Sequence, residues 1–189
     1  PYALGGLESR VGAFVWAFAG GQEGGNALAD VLTGAAEPSG RLPLSFPRNV
    51  GAVPYYYDHK LKSAGTPIAF HFGSRYPFGY GLSYARFEYR DLAVDPGPID
   101  IEAGEIHARF TVTNTGQRAG VAVPQLYVRD PLASVVRPVR ELKAFGRVAL
   151  APGQSARMEM AVPVDMLSFT GRDGARVVEP GEFEVQVGA

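Results

Sequence analysis

The stretch Glu105-Ile106-His107-Ala108-Arg109-Phe110-Thr111-Val112-Thr113 alternates polar and apolar side chains without a break. Successive side chains of an extended chain point to opposite faces, so a period of two predicts a strand with one face buried and the other in water. The alternation recurs downstream. Met158, Met160 and Val162 interleave with Arg157 and Glu159, and Phe183, Val185 and Val187 interleave with Glu182, Glu184 and Gln186. Turn sequences separate the runs: Asn114-Thr115-Gly116, Asp130-Pro131, Ala151-Pro152-Gly153-Gln154 and Glu179-Pro180-Gly181. Strands are expected over 87–94, 105–113, 121–128, 143–150, 156–162 and 183–187, with a short one near Leu167 to Phe169. About seven strands in roughly a hundred residues is the pattern of an immunoglobulin-like or fibronectin-III-like sandwich.

Upstream of this region the composition changes. Eight of the nine tyrosines, the single Trp and seven of the eleven Phe precede residue 91. Val11 to Phe18 is a continuous apolar run, expected to be a buried central strand of a parallel sheet. The glycine turn Gly20-Gly21-Gln22-Glu23-Gly24-Gly25 follows, and then Asn26 to Leu32 with Gly34 beyond, a short helix with an Asn near its start and a Gly stop. Arg41 to Phe46 reads as an edge strand, because Pro43 cannot donate to a ladder. One strand, one helix and an edge strand cannot cover both faces of a parallel sheet, so residues 1–82 are expected to be the end of an α/β domain and 83–189 a complete sandwich. The chain opens at Pro1 without Met or a signal-like segment, which reads as a piece of something longer.

The 189 residues carry 18 Lys+Arg against 19 Asp+Glu, so there is no basic excess to condense on phosphate, and nucleic acid is not an expected partner. No apolar run is long enough to cross a bilayer as a helix. The absence of Cys removes disulfides, thiolate nucleophiles and thiolate metal ligands, and leaves the compartment open between secreted, periplasmic and cytoplasmic. With 24 Gly and 15 Pro, turns between short strands are favoured over an all-helical fold.

Few residues here promise chemistry. The glycine turn lacks the Lys-Ser/Thr of a P-loop and the spacing of a dinucleotide fingerprint. Glu23 stands at the positive end of the helix dipole, where a structural cap is expected rather than a phosphate cradle or a general acid. Gly79-Tyr80-Gly81-Leu82-Ser83-Tyr84 is not a nucleophile elbow. His59, His71 and His107 have no ligand-like spacing, so neither a metal nor another cofactor is expected. The string Tyr55-Tyr56-Tyr57-Asp58-His59-Lys60 gathers aromatic faces, a carboxylate, an imidazole and an ammonium, groups that suit a sugar's C–H faces and hydroxyls; equally, its rings could simply pack on the body of the protein. No pair of carboxylates stands in a pocket-forming context of the kind glycoside hydrolysis needs.

Longer strings resemble a known family. Gly21-Gln22-Glu23-Gly24-Gly25-Asn26-Ala27-Leu28-Ala29-Asp30-Val31-Leu32-Thr33-Gly34, followed by Pro38-Ser39-Gly40-Arg41-Leu42-Pro43 and Phe46-Pro47, resembles the end of the second domain of glycoside hydrolase family 3. Tyr76-Pro77-Phe78-Gly79-Tyr80-Gly81-Leu82-Ser83-Tyr84, Gln125-Leu126-Tyr127-Val128 and Arg137-Pro138-Val139-Arg140-Glu141-Leu142-Lys143-Ala144-Phe145 are similar to the segment leading into that family's fibronectin-III-like domain and to the domain itself. Tyr56 to Lys60 resembles the Tyr-Tyr-Asn-His-Lys region of its β-glucosidases and β-xylosidases, with Asp58 in place of Asn, and Ala17-Phe18-Ala19-Gly20 stands where many members have Ala-Trp-Tyr-Pro.

The resemblance implies a retaining exo-acting β-glycosidase, a hydrolase of terminal β-linked sugars, built from a TIM-like barrel, an α/β sandwich and a fibronectin-III-like domain. The family's nucleophilic Asp and its usual acid/base Glu lie upstream of the matched motifs, so no catalytic residue is carried over to this chain. The expected partners are the N-terminal catalytic polypeptide of the same enzyme and a β-glucoside or related substrate, with Tyr57, Asp58 and His59 as candidates for the pocket rim. The alternative is a free-standing, non-catalytic fibronectin-III-like binding module.

Overall fold

In the computed structural model, which describes residues 2–52, 54–61 and 73–188, the alternating stretch is a strand whose even-numbered residues are buried from Ile106 to Asn114. In chain order the elements are α1 (Gly24–Thr33), β1 (Phe46–Pro47), β2 (Ser74–Tyr76), β3 (Phe87–Val94), β4 (Glu105–Asn114), β5 (Gly120–Ala122), β6 (Gln125–Arg129), β7 (Glu141–Phe145), β8 (Val148–Leu150), β9 (Ser155–Pro163), β10 (Phe169–Thr170), β11 (Arg176–Val177) and β12 (Glu184–Gly188). One layer of the sandwich has the order β3-β4-β9, and the other is made of β12-β6-β7 with the pair β5-β8. Ile106, Ala108, Phe110 and Val112 from the first layer pack with Ala122, Leu126, Val128 and Leu150 from the second, so the predicted inward face is the core. The buried Asn114 closes one end: its Nδ2 donates to the carbonyls of Arg118 (2.7 Å) and Leu150 (3.0 Å), and its Oδ1 accepts from the Gly116 N–H at 3.0 Å. A buried amide with its donors and acceptor engaged avoids the cost of an orphaned polar group.

Two expected strands are each interrupted. The run 121–128 divides into β5 and β6 at Val123-Pro124, and 143–150 divides into β7 and β8 at Gly146-Arg147. Pro124 has no N–H to give the ladder, and its carbonyl accepts from the Gly146 N–H at 3.0 Å instead. The register is the same on both sides of the break, Ala122 facing Val148 and Gln125 facing Phe145, and it shifts by one residue only further on, between Leu126 and Tyr127. Near residue 167 the chain first makes a 3₁₀ turn over Val164–Leu167, which buries Leu167, and only then enters β10.

The first 80 residues differ more from expectation. Val11 to Phe18 is not a buried strand: it pairs with no strand among the described residues, and Trp16 and Phe18 are 36% and 58% exposed. A strand exists only through its neighbours, and every ladder among the described residues is antiparallel. Alternate residues Phe14 and Trp16 instead set their rings against Phe46, at 6.5 and 4.9 Å between centroids. The helix begins two residues before Asn26 and stops at Gly34 in the left-handed region (φ 79°). Glu23 occupies the N-cap position, yet its carboxylate accepts from Asn26 Nδ2 at 2.8 Å rather than from the helix amides. The edge strand is confined to Phe46–Pro47, antiparallel to β2.

What places this segment is its seat on the sandwich. Four consecutive residues of β6, Gln125 to Val128, are buried, because the face turned away from the core is covered by the Pro77–Gly79 turn. Gln125 Nε2 donates to the Gly79 carbonyl at 3.0 Å, and the Tyr127 hydroxyl donates to Gln125 Oε1 at 2.5 Å. Further along, the Tyr84 hydroxyl donates to the Val31 carbonyl at 2.6 Å, and Glu37 Oε1 accepts from the Ala85 N–H at 3.0 Å.

The connection between β6 and β7 is pinned by Arg137. Its Nη2 donates to Glu141 Oε2 (2.9 Å) and to the Leu167 carbonyl (3.2 Å), its guanidinium covers the Phe169 ring at 4.5 Å, and Nε lies 3.8 Å from Asp130 Oδ2. Burial pushes the Asp130 carboxyl above the usual carboxylate range, outweighing the downward pull of Arg137.

Two tests follow from these contacts. Gly79 has φ 81°, and a Cβ there would stand 2.2 Å from Gln125 Oε1 and 2.6 Å from the Tyr127 hydroxyl oxygen. Gly79→Ala is expected to cost about 2–4 kcal/mol by denaturant unfolding, combining a left-handed backbone with overpacking; a loss within experimental error refutes the seat described for β6. The raised Asp130 pKa means that the folded chain holds a proton over a window where the unfolded chain has released it. This group's contribution therefore makes the protein more stable as pH falls through that window toward the ordinary Asp value. Asp130→Asn should remove that component from a plot of unfolding free energy against pH, while Arg137→Ala should cost about 3–5 kcal/mol at neutral pH by leaving its partners unpaired.

Candidate functional site

Tyr57 sits where three elements meet. Its ring stacks on Phe78 with centroids 4.1 Å apart and planes 17° from parallel, and its hydroxyl accepts from the Leu142 N–H at the start of β7, 3.2 Å away. Two residues on, the His59 carbonyl accepts from the Val139 N–H at 3.0 Å, and Lys60 Nζ donates to the Val136 carbonyl at 2.7 Å. The loop is thus fastened to the β6–β7 connection by one phenol, one main-chain bond and one ammonium. One face of the Tyr57 ring is thus packed against Phe78, and its hydroxyl is engaged by the main chain of β7.

Between this loop and the sandwich lies a cleft of about 450 Å³. Tyr55, Tyr57 and His59 form one wall, Ser45, Ser74 and Phe78 from the β1–β2 region a second, and Arg129, Val139, Arg140 and Gln186 from the sandwich a third. The rings of Tyr55 and His59 are 5.6 Å apart and tilted by 55°. Of the three candidates from sequence, Tyr57 and His59 line the cleft, whereas Asp58 is exposed and lies outside its lining. The arginines and Gln186 were not singled out from sequence, because only the hairpin register and the return of β12 bring residues 129, 140 and 186 together.

The remaining candidates lie elsewhere. His107 is on the outer face of the first layer, between Glu105 Oε2 at 3.5 Å and Glu159 Oε1 at 3.1 Å. His71 lies outside the described residues. The Ser83 hydroxyl is buried with no hydrogen-bond partner among the described residues, hence with no base to activate it. No group of three His, Asp or Glu among the described residues is arranged to hold a metal ion. Burial pushes the Tyr127 phenol above its ordinary pKa against the opposing pull of Arg140, which keeps it a neutral donor to Gln125.

Comparison with known proteins gives these features a context. The family model for the glycosyl hydrolase family 3 C-terminal domain matches residues 1–84, and that for a fibronectin type III-like domain matches residues 122–189. A periplasmic beta-glucosidase of Salmonella typhimurium is 39% identical over 201 residues, covering 100% of this chain and 26% of its own length. A beta-xylosidase of Formosa agariphila is 36% identical over 193 residues, covering 100% of this chain and 27% of its own. The crystal structure of a beta-glucosidase from Listeria innocua in complex with glucose superposes with a TM-score of 0.81 at 35% identity, covering 89% of this chain and 25% of that one. The chain therefore spans about a quarter of the length of these relatives. The matches support the expected order of folds, the end of an α/β domain followed by a fibronectin-III-like sandwich. The chain belongs to glycoside hydrolase family 3, of which it carries the C-terminal domain and the fibronectin type III-like domain that follows.

Proposed function

We propose that this chain works as the C-terminal segment of a retaining, exo-acting β-glycosidase that hydrolyses terminal β-linked glucose or a related sugar. Residues 1–82 complete the α/β domain, and residues 83–189 form a stabilising sandwich. The nucleophile and the acid/base belong to an N-terminal polypeptide of the same enzyme. Tyr57, Asp58 and His59 contribute to the rim of the sugar pocket.

The observation that carries this reading is the Val11–Phe18 segment. It is apolar toward both sides, with Phe14, Val15, Trp16 and Phe18 exposed, and it pairs with no strand among the described residues. Such a segment is an association hazard unless further strands flank it, so it suits a sheet completed by additional polypeptide better than a free-standing module. The relatives that match the whole chain while being about four times as long, and are named beta-glucosidase and beta-xylosidase, support the same conclusion. The exposed Asp58 and the cleft-lining His59 offer a carboxylate and an imidazole to sugar hydroxyls at the edge of the cleft.

Two measurements test it. Expressed alone, residues 1–189 should aggregate or unfold without cooperativity and be rescued by the upstream polypeptide; a soluble, cooperatively unfolding monomer would favour the binding-module alternative. In the full-length protein that contains this chain, Asp58→Ala and His59→Ala should each raise KM for an aryl β-glucoside or β-xyloside by about three- to tenfold, the effect of losing one polar contact. Unchanged kinetics with unchanged thermal stability remove both residues from the rim.

A further inference from the structure

Among the described residues that line the cleft none is Asp or Glu, while two are arginines and one is histidine. The arginines are neighbours by construction of the hairpin. β6 and β7 pair Tyr127 with Leu142 and Val128 with Glu141, the last rung of that ladder, and Arg129 and Arg140, the next residue outward on each side, both line the cleft. Both belong to the same face as Tyr127, the face turned away from the core, and Gln186 joins them from β12, where it pairs with Tyr127. Two like charges gathered in one cleft repel, a cost that an anion offsets. Arg129 has one, since its Nη1 lies 3.1 Å from Glu184 Oε2. Arg140 rests on the face of the Tyr127 ring at 5.0 Å and is bonded to no carboxylate among the described residues. Its planar donor fork is therefore available to receive an oxyanion, with the Tyr127 ring packed against it.

We propose that the Arg140 end of this cleft binds an anionic group carried on a sugar ring, a uronic acid carboxylate or a sulfate ester, with Arg140 as the principal donor, Arg129 and Gln186 beside it, and Tyr55 as the aromatic wall for the ring. This rests on the reading that the cleft faces the sugar, and it adds a charge preference to that reading. A carboxylate meets guanidinium forks bidentately in one plane, whereas a sulfate presents oxygens in three directions, so the two sources are separable by affinity.

The test is calorimetric titration of the full-length protein that contains this chain with methyl β-glucuronide, methyl β-glucoside 6-sulfate, neutral methyl β-glucoside and sodium sulfate. The acidic glycosides should bind about tenfold or more tightly than the neutral one at low salt, and lose that advantage in about 0.5 M NaCl. The tighter of the two acidic ligands identifies the natural group. Arg140→Gln, which keeps the stem over Tyr127, should reduce the acidic-to-neutral preference to below about threefold, and Arg140→Lys should keep part of it. Equal binding of neutral and acidic glycosides, a preference untouched by Arg140→Gln, or sodium sulfate binding as tightly as the glycosides would each overturn the proposal. Hydrolysis of a neutral aryl β-glucoside by the same preparation reports separately on glycosidase function: its absence removes that reading, while the titration still decides the charge preference.

Discussion

The buried bond between Gln125 and the Gly79 carbonyl, with Tyr127 donating behind it, is the constraint on which the rest of the arrangement depends. A sheet strand normally has one dry face and one wet one. β6 has two dry faces, because the Pro77–Gly79 turn closes over the second. Covering that face obliges its polar groups to find partners within the protein, and Gln125 does so by joining a main-chain carbonyl on one side to a phenol on the other. The two regions of the chain are thereby fixed by a bond with little geometric tolerance. The described residues that line the cleft hang from one side of this seam or the other: Phe78 and the loop stacked on it through Tyr57 from one, Arg129, Arg140 and Gln186 from the other.

A second fixture supports the seam from below. The β6–β7 connection supplies the Val136 carbonyl and the Val139 N–H that hold Lys60 and His59. Arg137 ties this connection to Glu141, to the Leu167 carbonyl and to the ring of Phe169, with Asp130 close by. Two of its nitrogens, Nε and Nη1, are buried without a hydrogen bond among the described residues, so the arrangement is held in place by coverage as much as by pairing.

Most of the sandwich was legible in the sequence because alternation is a local property. β3 occupies 87–94 as read, β4 departs by one residue at one end and β9 by one at each end, since each needs only its own period of two to reveal its buried face. The breaks at Pro124 and Gly146 were not read, because a strand interruption depends on what its neighbour does at the same rung. The apolar run at Val11 to Phe18 shows the same limit from the other side: hydrophobicity says that a segment is suited to burial, and only other strands can bury it. In the candidate site, Tyr57 and His59 were visible as an aromatic and ionisable cluster along the chain. Arg129 and Arg140 were not, since eleven positions and a turn separate them and only pairing register makes them neighbours.

The anchoring of the loop has a consequence for how such a site can change. At positions 58 and 59 the link to the sandwich is the His59 carbonyl, which every residue type possesses, and the side-chain anchors stand at 57 and 60. The two middle side chains are thus uncoupled from the attachment of the loop. Replacing them would leave the main-chain bond at 59 and the side-chain anchors at 57 and 60 in place, so the loop can change its middle residues at nearly constant stability.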